Sequence, residues 1–308
     1  MTPGRGGRAV TVRAPGKINP GLAVGGRRPD GYHELATLLV SVSRYDEVTV
    51  GAADRLRVTV SGPAAGLVPA DGSNLAARAA QLVARHAGVE PAVHVHILKR
   101  LPVLGGMGGG SADAAAALVA CDAFWGLGLD RAELGRLAAQ LGSDVPFCLQ
   151  GGAALAYGRG ERIQPVEAAA PFHWVLADAD GGLSTPGVFA AWDRACARDQ
   201  ITPPAVPQLP AQLIKAVQAG DPRVLAQTLV NDLEPVALEM LPALARTRAA
   251  GLAAGALASL LSGTGATYAF LAASEDDARV VAARLAASGT CAAAHVAQGP
   301  VSRHMTVS

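Results

Sequence analysis

With 308 residues, 26 Lys+Arg against 25 Asp+Glu and a formal net charge of +1, the chain is about twice the length of an ordinary domain and has no global basic excess. That length predicts two packed domains, and the charge balance argues against a phosphate-backbone partner, so no nucleic acid is expected. Cys121, Cys148, Cys196 and Cys291 form no CxxC pair and sit among apolar neighbours, as free thiols of a reducing cytoplasm would.

The N-terminus is positively charged but has no apolar run of signal length before Arg13, which predicts a cytoplasmic protein. Arg8 to Arg13 alternates as a short strand, and Glu47 to Val50 with Arg55 to Val60 reads as a β-hairpin. Asn74 to Ala87 has the spacing of an amphipathic helix, Ala92 to Leu98 that of a strand, and Ser111 to Trp125 that of an alanine-rich, largely buried helix. A helix over Arg131 to Leu141 and a strand over Ala153 to Tyr157 follow. The Pro- and Ala-containing stretch Gln164 to Pro171 is the expected junction, dividing the chain into 1–166 and 167–308.

The second part opens with a strand over His173 to Ala177 and a helix near Val188 to Cys196, then loosens into the proline-rich loop Ile201 to Pro210. Helical patterns continue to Ala249. Strands over Ala258 to Leu261 and Thr267 to Leu271, a helix over Glu275 to Ala287 and a strand near Cys291 to Val296 complete an α+β pattern. The uncharged stretch Ala249 to Ser274 is long enough to span a bilayer, but Ser262-Gly263-Thr264-Gly265 would break a helix there. A helix end, a tight glycine loop and a buried strand are expected instead, and no membrane partner.

Leu104-Gly105-Gly106-Met107-Gly108-Gly109-Gly110-Ser111 places five glycines in six residues directly before a helix, so backbone N–H groups have room to converge on an anion beside the positive end of the helix dipole. No Gly-Lys-Ser/Thr follows, which excludes a Walker A loop, and the glycine spacing is not that of the dinucleotide fingerprint. A flexible loop with Ser111 as an ordinary N-cap is the alternative.

Three segments, Ala14-Pro15-Gly16-Lys17-Ile18-Asn19, Pro102 to Asp113, and Leu261-Ser262-Gly263-Thr264-Gly265-Ala266, together resemble the three motifs of the GHMP kinases, in order and at suitable spacing. Arg28-Pro29-Asp30-Gly31-Tyr32-His33, Asp71-Gly72-Ser73-Asn74-Leu75, Lys99-Arg100-Leu101-Pro102 and Gly142-Ser143-Asp144-Val145-Pro146-Phe147 are similar to the branch that phosphorylates a cytidine-diphosphate-linked methylerythritol in isoprenoid-precursor synthesis. The resemblance implies an α+β, two-domain GHMP kinase architecture: an S5-like first domain, a ferredoxin-like second domain and an active site between them. It also implies ATP with Mg²⁺ as donor, a small-molecule acceptor and a monomer or weak homodimer.

On that resemblance Lys17 and Asp144 are catalytic, Asp144 orienting the acceptor hydroxyl and Lys17 offsetting transition-state charge. An alcohol of roughly water's acidity lies about 12 units above an ordinary aspartic acid, a gap on the order of 16 kcal/mol, so proton transfer must accompany P–O bond formation. By residue chemistry alone, Asp144 reads equally as an N-cap before an early-helix proline, and Lys17 as a surface lysine. For the donor the resemblance implies Asn74 and Lys99 at the adenine pocket, and Pro102, Val103, Leu104, Gly105, Gly106, Met107, Gly108, Gly109, Gly110, Ser111 and Ala112 around the phosphates. Asn74 is otherwise an N-cap and Lys99 a solvated charge. Ser111 can offer a hydroxyl to a phosphate or to Mg²⁺; many relatives carry Ser-Ser after the glycines, whereas here Ala112 follows Ser111, which weakens the case for direct protein ligation of the metal. For the acceptor it implies Asn19 near the reacting hydroxyl, Tyr32 and His33 at the cytidine, and Thr185, Pro186 and Phe189 as a second stacking wall. Core packing of Tyr32 and Phe189, and a structural role for His33, are the alternatives. Ser262 to Gly265 reads as a further N–H cluster or as a plain β-turn.

Overall fold

Two long antiparallel strands, β1 (Ala9–Arg27) and β2 (His33–Ala52), form the spine of the first sheet in the computed structural model, which describes residues 9–301 and 305–308. Arg8 lies outside the described residues, but the strand expected to end at Arg13 runs on to Arg27. Register shifts at Pro15/Gly16, Ile18/Gly21 and Val24/Arg27 make this possible, because prolines and glycines that would interrupt a regular ladder are absorbed at bulges. At Gly16 an added Cβ would lie 2.7 Å from Leu101 and 3.0 Å from Met107, so a bare backbone is what lets β1 pass under the glycine loop.

The expected hairpin does not form. β2 pairs with β4 (Val93–Leu98), and β3 (Arg57–Ser61) lies beyond β4 and parallel to it, with Val58 opposite Val95. Parallel neighbours require a crossover, supplied by helix α1 (Leu75–Ala87), so the Gly and Asp residues after Val50 release the chain to the sheet edge instead of turning it back. β5 (Ala153–Gly158) pairs with the first half of β2 and with β6 (Arg162–Val166). Helices α2 (Gly109–Trp125), α3 (Arg131–Leu141) and α4 (Val145–Gln150) complete this layer. From Ala112 to Leu118 every residue of α2 is buried, as the lack of a polar face in its sequence requires.

The chain then forms β7 (Phe172–Asp178), α5 (Thr185–Arg198), α6 (Ala211–Ala219), α7 (Pro222–Ala226), β8 (Val230–Asn231), α8 (Glu234–Met240), α9 (Ala243–Ala253), β9 (Ala258–Leu261), β10 (Tyr268–Ala272), α10 (Glu275–Ser288), β11 (Ala293–Gly299) and β12 (Thr306–Val307). The second sheet has the order β11-β7-β10-β9 with every pairing antiparallel, a ferredoxin-like arrangement. Along β7, Phe172, Trp174 and Leu176 enter the core beneath the first sheet, whereas Val175 and Ala177 enter a second core. The strand is thus buried on both faces, which is why it reads as a nearly continuous apolar run.

Residues after 167 contribute to both cores. Leu213, Ala216, Val217 and Leu225 of α6 and α7 are buried with the first sheet, and β8 pairs parallel with β1, Gly21 opposite Val230. The uncharged stretch Ala249 to Ser274 becomes the end of α9, β9, a glycine turn and β10. Among the described residues no helix is long and apolar enough to cross a membrane. All four cysteines are buried and free, and burial pushes the Cys121 thiol up to about 12.

Candidate active site

The three glycine-bearing segments meet at one cleft of about 1000 Å³. Backbone hydrogen bonds stitch them together: Lys17 N–H donates to the Met107 carbonyl (3.0 Å), Ala266 N–H to Leu104 (3.2 Å) and Thr267 N–H to Gly105 (3.1 Å). Gly106 has φ +75°, and a Cβ there would overlap the Ser262 carbonyl oxygen; glycine is needed both for the conformation and for the approach of the β9–β10 turn. Asn231 fixes that turn from a distance, donating from Nδ2 to the carbonyls of Leu261 (2.8 Å) and Gly263 (2.7 Å) while its Oδ1 accepts from Leu233 N–H.

Helix α2 starts two residues earlier than expected, with Gly108 at the N-cap position and φ +67°. Ser111 is therefore in the first turn, half-buried and lining the cleft, and Ala112 is buried beneath it. The first helical bond runs from Ala112 N–H to Gly108 O, leaving the N–H groups of Gly109, Gly110 and Ser111 without intrahelical acceptors at the positive end of the dipole. Pro102, Val103 and the exposed Leu104 line the cleft beside these N–H groups.

Lys17 is buried, not a surface lysine. Its Nζ donates to the Gly106 carbonyl (2.6 Å) and to Asn19 Oδ1 (2.8 Å), and lies 3.8 Å from Asp144 Oδ2. Asn19 Nδ2 donates to Thr37 Oγ1 (2.9 Å), which donates to the Gly21 carbonyl (2.7 Å); this chain sets the amide so that its oxygen faces Lys17. Asp144 occupies the N-cap position of α4, but its side chain makes no capping bond and its carboxylate borders the cleft.

Asn74 both caps α1, accepting from Ala76 N–H (2.8 Å), and lines the cleft. Lys99 is not solvated. It is 2% exposed and lies 2.6 Å from both Asp46 Oδ2 and Asp113 Oδ2, with room for its ammonium where Gly109 lacks a Cβ. Burial tends to lower its proton affinity, but Asp113 and Asp46 together raise it. Asp46 Oδ1 accepts from Arg100 and Leu101 N–H (2.6 and 2.8 Å), tying the β4 end to β2. Asp113 Oδ1 is buried without a hydrogen-bond partner among the described residues.

Burial pushes Asp113 up to about 7, Lys99 opposing and Asp46 adding to the rise. Above the ordinary aspartate value and below about 7, the folded chain holds a proton that the unfolded chain has released. This contribution to stability is present at low pH and lost as pH rises through about 7. Lys99 stays protonated throughout and adds no slope. Thermal melting should therefore show the Tm of Asp113→Asn rising relative to wild type between about pH 5 and 7.5, then levelling. A Tm difference independent of pH would contradict the assignment.

At the far end of the cleft, His33 is buried with Nε2 2.7 Å from Asp193 Oδ1 on α5. Because a carboxylate only accepts, Nε2 carries a proton in this pair, and Nδ1 is the ring nitrogen not engaged by Asp193. Phe189, on α5, lines the same cleft and its ring stacks on His33 (centroids 4.9 Å, 18°). Tyr32 is exposed, with the Arg159 guanidinium 4.9 Å from its ring centroid. Thr185 Oγ1 lies 3.2 Å from Thr264 Oγ1, joining α5 to the glycine turn, and the exposed Pro186 borders the same space.

Residues 74–152 match the model of the GHMP kinases N terminal domain, and residues 213–291 that of the GHMP kinases C terminal domain. The 4-diphosphocytidyl-2-C-methyl-D-erythritol kinase of Streptomyces avermitilis is 53% identical over 292 residues, 95% of this chain and 97% of that one. The chain belongs to the GHMP kinase family. A crystal structure of 4-(cytidine 5'-diphospho)-2C-methyl-D-erythritol kinase superimposes with TM-score 0.75 at 35% identity, covering 95% of this GHMP kinase and 100% of that chain. The mevalonate kinase of L. major in complex with R-mevalonate shares the fold at 19% identity, with TM-score 0.73 over 94% of this chain and 95% of its own. This GHMP kinase is an ATP-dependent enzyme acting on a small molecule.

Four polar residues, Asp113 and Asp193 lining the cleft and Asp46 and Asn231 bracing it from behind, are not singled out by sequence. Asp113 lies inside the second motif. Asp46, Asp193 and Asn231 have no local signal, because their partners are brought together only by the sheets.

Proposed function

We propose that this kinase phosphorylates the 2-hydroxyl of 4-diphosphocytidyl-2-C-methyl-D-erythritol, releasing ADP, in the non-mevalonate route to isoprenoid precursors. The observation that carries this reading is the pairing of Lys17 with Asp144 beside the glycine loop, in one cleft with the His33–Asp193 pair and its stacked Phe189. The names of relatives about half identical over nearly the whole chain support the choice of acceptor.

The donor phosphates meet the free N–H groups at the start of α2. Asp144 accepts the hydrogen bond of the acceptor hydroxyl and takes its proton as the P–O bond forms. Lys17, held in place by Asn19 and the Gly106 carbonyl, keeps positive charge beside both that carboxylate and the transferring group. His33 Nδ1 accepts from the exocyclic amino group of cytosine, and the aromatic surface packs on the base.

No group of three or more His, Cys, Asp or Glu side chains suited to a metal occurs among the described residues. The site therefore fits a Mg²⁺ ion carried largely by ATP oxygens and water, with Ser111 and Asp144 as the candidate protein oxygens, and such an ion would neutralise phosphate charge.

ADP release should be measured with ATP·Mg²⁺ against this acceptor, mevalonate, homoserine and a hexose. Turnover with the cytidylyl alcohol alone is the expected result. Turnover with another alcohol, or with none, would overturn the reading.

A further inference from the structure

The proposed acceptor presents a base at one end, a hydroxyl at the other and a diphosphate between them, so the cleft must supply a cation midway. Among the described residues lining it, the permanent cations are Lys17, Arg27, Lys99 and Arg159. Lys17 is occupied by Asn19, Gly106 and Asp144, and Lys99 is enclosed by Asp46 and Asp113. Arg27 is exposed at the rim, its Nε directed to the Gly31 carbonyl at 3.4 Å.

Arg159 differs from the two lysines in having open Nη groups, and from Arg27, whose Nη groups are also open, in its place between the two ends of the cleft. It stands in the β5–β6 turn, and its guanidinium rests on Tyr32 at the nucleobase end. The next residue, Gly160, sits against the catalytic end, where an added Cβ would be 3.9 Å from Asp144 Oδ1. The Arg159 side chain is 34% exposed; among the described residues its one ion pair within 4.0 Å is Nε to Glu161 Oε2, and the Asp30 carboxylate feels its charge from farther off. That Glu161 oxygen is already bonded at 2.7 Å by the Arg159 backbone N–H. No hydrogen bond to a described residue engages its two Nη groups.

We propose that Arg159 is a specificity-determining residue that binds the diphosphate of the acceptor through those Nη groups, an inference that rests on the proposed acceptor. A planar guanidinium with both Nη groups open matches two phosphate oxygens at once, which an ammonium cannot do. Stacking on Tyr32 aims the fork and limits the side-chain freedom lost on binding. The turn that carries Arg159 also abuts Asp144, so seating the diphosphate sets how far the reacting hydroxyl reaches toward the carboxylate.

The test uses the full chain and two ligands, cytidine and CDP, with dissociation constants from calorimetry for wild type, Arg159→Gln and Arg159→Lys. Wild type should bind CDP more tightly than cytidine. Arg159→Gln should lose at least about tenfold in CDP affinity while keeping its affinity for cytidine and its KM for ATP, and Arg159→Lys should recover part of the loss. An equal loss for CDP and cytidine would mean that Arg159 only props Tyr32, and an unchanged CDP affinity would mean that it faces no phosphate. Either result overturns the proposal while leaving the acceptor intact. If wild type binds neither ligand, the cytidylyl acceptor itself fails, and the role of Arg159 with it.

Discussion

Asp144→Asn should lower kcat by about 10²–10⁴-fold while KM for ATP stays near the wild-type value, the range expected for losing a positioned proton acceptor. The substitution is nearly isosteric, and the Asp144 side chain makes no helix-capping bond, so the fold has little to lose. What changes is chemistry: an amide cannot take the hydroxyl proton and offers Lys17 a dipole in place of a charge. Steady-state kinetics on protein of unchanged melting temperature provide the check. A folded variant with near-wild-type kcat would remove Asp144 from the reaction.

Lys17→Met should cost a similar factor, about 10²–10³ from lost electrostatic stabilisation, and here the structure adds a second effect. Lys17 Nζ is the shared donor to the Gly106 carbonyl and Asn19 Oδ1. A methionine leaves the buried Asn19 Oδ1 without its donor, at about 1–3 kcal/mol, and leaves the Gly106 carbonyl held by Ser262 Oγ alone (3.0 Å). Both kcat and Tm should therefore fall, whereas Asp144→Asn should move kcat alone. A Lys17→Met protein with full turnover would show that the transition-state charge is offset elsewhere.

The parts of this site that sequence made legible are those whose physics is local. Five glycines before a helix announce an anion seat, and the structure places positive φ at Gly106 and Gly108 within that run. The helix start was misread at Ser111 because serine is a good N-cap; the chain uses Gly108, whose left-handed conformation a serine would adopt only with strain. The length of β1 was hidden for a related reason. Pro15, Gly16, Pro20 and Gly21 look like punctuation in one dimension, and only pairing with β2 shows the bulges that accommodate them. The mistaken hairpin after Val50 shows the same limit, since a turn signal does not reveal that β4 takes the place beside β2.

Long-range partners were not legible at all. His33 finds Asp193 and Lys99 finds Asp46 only through the packing of α5 and the pairing of β2 with β4. A lysine in a motif gives no sign of whether it meets solvent, substrate or two carboxylates. Lys99 lines the cleft, but its ammonium is 2.6 Å from both Asp46 and Asp113, so it is paired rather than free charge.

The central claim is transfer to one particular hydroxyl, and phosphorus NMR of the product formed from ATP and 4-diphosphocytidyl-2-C-methyl-D-erythritol tests it most directly. The carbon bearing the 2-hydroxyl carries no hydrogen, so its phosphate should appear as a new phosphomonoester singlet alongside an intact diphosphate. A triplet or doublet from phosphate on the primary or secondary hydroxyl, or no new phosphomonoester at all, would contradict the account.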